Sequence, residues 1–206
     1  MPRAPRIQPA GELFHIATRS SAKRPILPTA DDRDELLRLL QVGFRKYAVA
    51  CHAYCVLTTH FHLLATPQED NLSRAMQWLN SRYAERFNSI YGVHGHVVGA
   101  RYSSTHVASD AHLLHLMAYL AYNPIDAGLC DRPEDWPWSS YRAVIGRSRA
   151  SFLQLDELLR LFAFDRGEAR RRIEDYVRGF EATRRRNGGS GSDMAGVRPQ
   201  TWPARP

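Results

Sequence analysis

Residues 56–67 read VLTTHFHLLATP, an apolar run that carries two histidines one residue apart and ends at Pro67. Side chains at i and i+2 of a strand point to the same face. As a strand, 60–67 turns His60 and His62 one way and Phe61 and Leu63 the other. The preceding stretch ACHAYCVLTT (50–59) is also strand-like, so a strand pair joined near Thr58–Thr59 is the simplest account. The histidine pair has two readings. One imidazole can bond a backbone carbonyl while the other lies at the surface, or both can bind one metal ion. Imidazole suits Mn, Fe, Co, Ni or Zn, and the remaining ligands decide among them.

Working outward, ELFHIATR (12–19) reads as a further strand and SSAKRPILPT (20–29) as a loop. ADDRDELLRLLQVGFRKYA (30–48) is a helix with an acidic first turn and an apolar stripe of Leu36, Leu37, Leu40 and Phe44. NLSRAMQWLNSRYAERFNSIYG (71–92) is a long helix. Asn71 or Ser73 can cap it, Met76, Leu79, Tyr83 and Phe87 form its buried stripe, and Gly92 stops it. HVVGARYSSTHVA (96–108) returns to strand character. DAHLLHLMAYLAYNP (110–124) is a helix with Asp110 as N-cap and Pro124 at its end. DRPEDWPWSSYRAVIG (131–146) reads as an aromatic-rich loop, followed by a helical C-terminal region.

The element order β–α–β–β–α–β–α gives an α+β fold. It matches the ferredoxin-like plan, an antiparallel sheet with helices on one face, in which the first and third strands are central. The two histidines are thereby expected on a buried, well-ordered strand. The division expected along the chain is a domain over 1–146, a helical extension over 147–186 and a Gly, Ser and Pro-rich disordered tail over 187–206.

The 206 residues carry a net charge of +7. Such a basic balance favours a polyanionic partner, most often nucleic acid, though it also fits a solvated basic surface. No apolar run approaches a membrane span, and MPRAPRIQPAGELFHI lacks the apolar core of a secretory signal. The three cysteines, Cys51, Cys55 and Cys130, form no CxxC pair, so a reduced, cytoplasmic setting fits best. A zinc site built on Cys51 and Cys55 lacks a second cysteine pair.

On the helix at 110–124, Tyr119 and Asn123 are four residues apart and share a face. An asparagine can give a metal its carbonyl oxygen, and a tyrosine can act as a phenolic nucleophile that forms a covalent intermediate. Alternatively Tyr119 is a helix tyrosine packed by its ring, a role that suits Tyr122 better.

With these residues in view, the chain resembles a family. HFHLL looks like the histidine–hydrophobic–histidine motif of the single-tyrosine HUH nucleases. The closer resemblance, over about residues 3–146, is to REP-associated tyrosine transposases. It rests on CHAYCVLTTHFHLLATP, NLSRAMQWLNSRYAERFNSIYGVHGHVVGARYSS, YLAYNPIDAGL and RPEDWPWSSYRAVIG, in that order and spacing. The resemblance implies an HUH palm that nicks and joins single-stranded DNA beside a short imperfect hairpin, working as a monomer or homodimer. Tyr119 matches the tyrosine that attacks the scissile phosphate, leaving a 5′-phosphotyrosine and a free 3′-OH. His60, His62 and Asn123 match the ligands of a Mg²⁺ or Mn²⁺ ion. Where family members often carry proline and asparagine before the first motif histidine, this chain has Thr58 and Thr59. Candidate DNA contacts are Arg19, Lys23 and Arg24 after the first strand, Arg74, Arg82 and Arg86 on the long helix, and Arg101 and Tyr102 on the fourth strand. Phosphate contacts of this kind position a strand without reading its sequence, and aromatics stack on unpaired bases. For Trp136 and Trp138, packing is the favoured role. Two other readings are a catalytically silent hairpin-binding protein and a small zinc-dependent hydrolase.

Overall fold

The computed structural model describes residues 7–20, 24–98 and 101–186. Lys23 and the tail at 187–206 lie outside the described residues. The chain forms two compact units, one of residues 1–52 and 56–106, the other of 53–55 and 107–206.

The first unit is built on a four-stranded antiparallel sheet: β1 (Phe14–Arg19), β2 (Val49–Val56), β3 (His60–Pro67) and β4 (Ser103–His106). The spatial order is β2-β3-β1-β4, so the first and third strands are central, as the element order requires. In the β1–β3 ladder Ile16 lies opposite Leu63 and Thr18 opposite Phe61, while His15 lies opposite Leu64, Ala17 opposite His62 and Arg19 opposite His60. One face of this pair is therefore apolar but for Thr18, and the other carries every basic side chain. Helices α1 (Ala30–Lys46) and α2 (Leu72–Tyr91) form the helical layer. The stripe buried by α2 includes Met76, Leu79, Tyr83 and Phe87, and its C-cap Gly92 takes the left-handed conformation (φ 61) that glycine accepts without strain. In α1 the buried leucines are Leu36, Leu39 and Leu40, so Leu39 takes the place expected for Leu37, which is only half-buried.

A loop locks the β2–β3 turn in register. The backbone N–H groups of Ile26 and Leu27 both donate to the Thr58 carbonyl (3.0 and 2.9 Å), and Ser20 N–H donates to the Thr59 carbonyl (2.9 Å). The carbonyls of this turn are satisfied by the chain itself rather than by water.

β4 is shorter than its sequence pattern. It begins at Ser103, because Tyr102 leaves the ladder: its hydroxyl donates to Gln8 Oε1 (2.8 Å) and lies 3.0 Å from Ser73 Oγ, with the ring buried. Arg101 and Tyr102 thus precede the strand instead of lying on it. Ser73 belongs to this contact and not to the cap of α2. Asn71 stands at the cap position, but its amide nitrogen donates to the Tyr47 carbonyl (3.0 Å).

In the second unit, α3 (Asp110–Asp126) is capped by Ser109, whose Oγ accepts from the His112 N–H (3.2 Å), and Asp110 falls in the first turn. Pro124 does not end this helix. Its ring lies in the last turn, where a missing N–H removes one bond only, and Ala127 N–H still reaches the Asn123 carbonyl (3.0 Å). Residues 131–146 are not a plain loop: Pro133–Asp135 form a 3₁₀ turn and α4 spans Tyr141–Val144. Between them Ser140 clasps Tyr54. Ser140 Oγ accepts from the Tyr54 N–H (2.9 Å), and the Tyr54 carbonyl accepts from Ser140 N–H (3.0 Å) and its hydroxyl (3.1 Å). This caps an edge-strand segment that would otherwise expose unpaired backbone groups. Trp136 is buried and meets Trp138 edge to face at 5.0 Å, the packing role expected of both. Two further helices follow, α5 (Leu155–Arg160) and α6 (Arg166–Arg186). Phe180 of α6 packs on Tyr122 and His115 of α3.

Candidate functional site

The face of β3 that carries His60 and His62 is built by alternation alone, and both rings belong to the first unit. They meet nearly at right angles with centroids 5.1 Å apart. His62 is buried, 2% exposed, whereas His60 is half-buried. Each ring has its Nδ1 occupied: that of His60 by Thr59 Oγ1 (2.9 Å), that of His62 by His15 Nε2 (3.0 Å). Thr59 therefore holds the His60 ring through its hydroxyl. Burial pushes the His62 imidazole well below its ordinary value, and the neighbouring His15, His60 and Arg19 charges push the same way. His62 is neutral at neutral pH, the form in which imidazole binds a metal.

Sequence reasoning missed His15. The signal was present as an alternating β1 pattern, in which His15, Ala17 and Arg19 share one face. Only the register shows that this face is the one bearing the histidine pair. Arg19, expected in the loop after β1, is the last residue of that strand, stands opposite His60, and is exposed.

Tyr119 and Asn123 lie in the second unit, one turn apart on α3. Tyr119 is half-buried. The amide nitrogen of Asn123 donates to the Tyr119 carbonyl (2.9 Å), which orients the amide and leaves its oxygen as the end able to serve as a ligand.

The donor chemistry suits a divalent ion. Imidazole nitrogens match Mn²⁺, and Mg²⁺ with a larger share of water or phosphate oxygens. Among the described residues, no group of three or more His, Cys, Asp or Glu side chains is placed to chelate a metal. Cys51 and Cys55 are buried, and burial raises the Cys55 thiol far above the range in which thiolates form, so both act as packing groups.

The remaining basic candidates divide by environment. Arg24, Arg74 and Arg101 are exposed. Arg82 is exposed and paired with Glu85 (3.1 Å). Arg86 is turned inward to Asp32 (3.0 Å), whose side chain is 2% exposed. Arg86 and Tyr102 serve the packing of the first unit. Among the described residues no helix is long and apolar enough to cross a membrane.

A family model for IS200-like transposases matches residues 12–123. Among solved structures, one of a REP-associated tyrosine transposase bound to a REP hairpin is similar at a TM-score of 0.58 and 16% identity, covering 75% of this chain and 98% of the other. At that identity the likeness shows the fold. A candidate transposase from Deinococcus radiodurans R1 gives a TM-score of 0.41 at 18% identity, over 57% of this chain and 94% of the other, too weak to bear on the fold. No curated protein matches the chain significantly.

Proposed function

The chain belongs to the IS200-like transposase family, and from that membership we propose that it is a metal-dependent, single-tyrosine endonuclease and strand transferase for single-stranded DNA beside a hairpin. The observation that carries the metal part of this reading is the histidine pair. Both rings project from one face of β3, both have their Nδ1 anchored, and His62 is neutral and buried. Such outer partners orient ligating imidazoles and fix which nitrogen faces the ion.

The residues take these roles. By the family resemblance, His60, His62 and Asn123 would hold one Mg²⁺ or Mn²⁺ ion. The ion, when bound, offsets the charge that develops on the phosphate oxygens. The Tyr119 hydroxyl attacks phosphorus, forming a P–O bond to the tyrosine as the bond to the 3′ oxygen breaks. The phenolic proton is lost and the leaving oxygen gains one, giving a 5′-phosphotyrosine and a free 3′-OH. Attack by a 3′-OH reverses the step and joins strands. Arg19, opposite His60, clamps the phosphate, and Arg24, Arg74 and Arg101 track the backbone. A hairpin substrate is supported by the REP hairpin that the solved relative binds.

The test is incubation with hairpin-flanked single-stranded DNA and Mn²⁺, read as a covalent adduct on a denaturing gel. Wild type is expected to form the adduct and Tyr119→Phe to lose it. An adduct that survives Tyr119→Phe would overturn the nucleophile. Wild type that binds the hairpin yet never forms an adduct would favour a catalytically silent binder.

A further inference from the structure

His15, which meets the Nδ1 of His62, is a titratable side chain on the histidine face that takes no part in the proposed reaction steps. It stands on β1, diagonal to His62 across the ladder, since its direct partner is Leu64 and that of His62 is Ala17. Diagonal neighbours on one sheet face are within reach of long or aromatic side chains. The contact is a defined one. His15 Nε2 lies 3.0 Å from His62 Nδ1, the ring planes differ by 15°, and the centroids are 5.2 Å apart. That separation is what two imidazoles joined nitrogen to nitrogen in one plane give. It is not that of rings stacked face on face.

We propose that His15 is a positioning residue: it accepts the Nδ1 proton of His62 and so holds that ring in the tautomer whose Nε2 lone pair is available to a divalent cation. This rests on the reading of His62 as a metal ligand. The hydrogen bond is the physical cause. A neutral imidazole carries one proton on one nitrogen, and the partner of the other nitrogen decides which. An isolated histidine prefers the proton on Nε2, where it blocks metal binding. An acceptor fixed at Nδ1 reverses that preference. Thr59 Oγ1 makes the corresponding contact to His60. A hydroxyl can turn to donate or accept, whereas between His15 and His62 one proton lies on the nitrogen-to-nitrogen line, and it belongs to His62 when His15 presents its Nε2 lone pair. The arrangement also explains why β1 carries a histidine amid the apolar residues of FHIATR.

The test has two readouts. The first needs no metal: ¹⁵N shifts of the His62 ring in the full-length protein, for wild type, His15→Leu and His15→Gln. Wild type is expected to carry the His62 proton on Nδ1, His15→Leu to move it to Nε2, and His15→Gln, whose amide oxygen can accept, to restore it. The second is Mn²⁺ affinity by titration. There His15→Leu is expected to lose about 10- to 100-fold, the usual cost of removing a ligand's outer partner, with His15→Gln within a few-fold of wild type. A wild-type His62 protonated on Nε2, or a His15→Leu protein with unchanged tautomer, overturns the proposal. Unchanged Mn²⁺ affinity in His15→Leu, when His60→Ala abolishes binding, also overturns it. If the tautomers behave as expected and wild type binds no Mn²⁺, the metal reading fails while the positioning role of His15 stands. His15 is only half-buried, and matched thermal melts check that the variants fold.

Discussion

At the scale of single residues, Asp32 shows how a charge that reads as a solvated helix end becomes structural. It is the N3 residue of α1, and it completes a capping box with Thr29. It also accepts from Tyr91 Oη (2.7 Å) and Arg86 (3.0 Å). Burial by itself pushes the Asp32 carboxyl up, but the hydrogen bonds from Thr29, Tyr91 and Arg86 outweigh it and hold the group below its ordinary value. A carboxyl depressed in the folded state contributes stability above its unfolded pKa and loses it as pH falls through the folded value. Asp32→Asn is therefore expected to melt lower than wild type at pH 7, by about 1–3 kcal/mol of stability, because it removes the charged partner of a partly buried Arg86. The two melting temperatures should converge as the pH drops below about 4, near the unfolded carboxylate value. A gap unchanged between pH 7 and pH 3 would contradict this account. The acidic first turn was legible in the sequence. That Arg86 belongs to it was not, since the partners lie 54 residues apart and only the packing of α2 against α1 joins them.

At the scale of elements, that packing depends on a close approach. Gly43 of α1 faces Trp78 of α2 so closely that a Cβ there would lie 2.7 Å from Cε3 and Cζ3 of the indole. The intrinsic helix preference of alanine over glycine favours Gly43→Ala by up to about 1 kcal/mol. Overpacking opposes it by about 1–3 kcal/mol and is expected to prevail. Urea denaturation should show a net loss of about 1 kcal/mol, from the difference of those two effects. In a Trp78→Leu background the same change should become neutral or stabilising. A loss of equal size in both backgrounds would show that the indole is not the cause. Element type was readable wherever periodicity was long, as in α2 with Met76, Leu79, Tyr83 and Phe87. It failed in short segments whose state depends on distant partners. β4 is cut to Ser103–His106 because Gln8 and Ser73 draw Tyr102 out of the ladder, and Ser140 is ordered by Tyr54, 86 residues away.

At the scale of the whole molecule, the excess of positive charge becomes a measurable expectation. If Arg19, Arg24, Arg74 and Arg101 each neutralise one phosphate, log affinity for single-stranded DNA should fall against log salt with a slope of roughly −3, from about 0.7 counterions released per contact. Removing divalent metal with a chelator should abolish the covalent adduct and leave that slope unchanged. A flat salt dependence would exclude these arginines as backbone contacts. Light scattering on the same protein is expected to report a monomer. The sequence by itself determined the strand and helix order, the pairing of His60 with His62 on one strand face, and the sharing of one α3 face by Tyr119 and Asn123. Each of these follows from local periodicity, which needs no knowledge of distant contacts. The tertiary structure alone decided which residues surround those groups. It brought His15 to His62 across 47 residues, turned Arg86 and Tyr102 to packing, and set Arg19 opposite His60. The reason is physical: strand register and helix packing arise from burial summed over the chain, and no short window of sequence contains that sum.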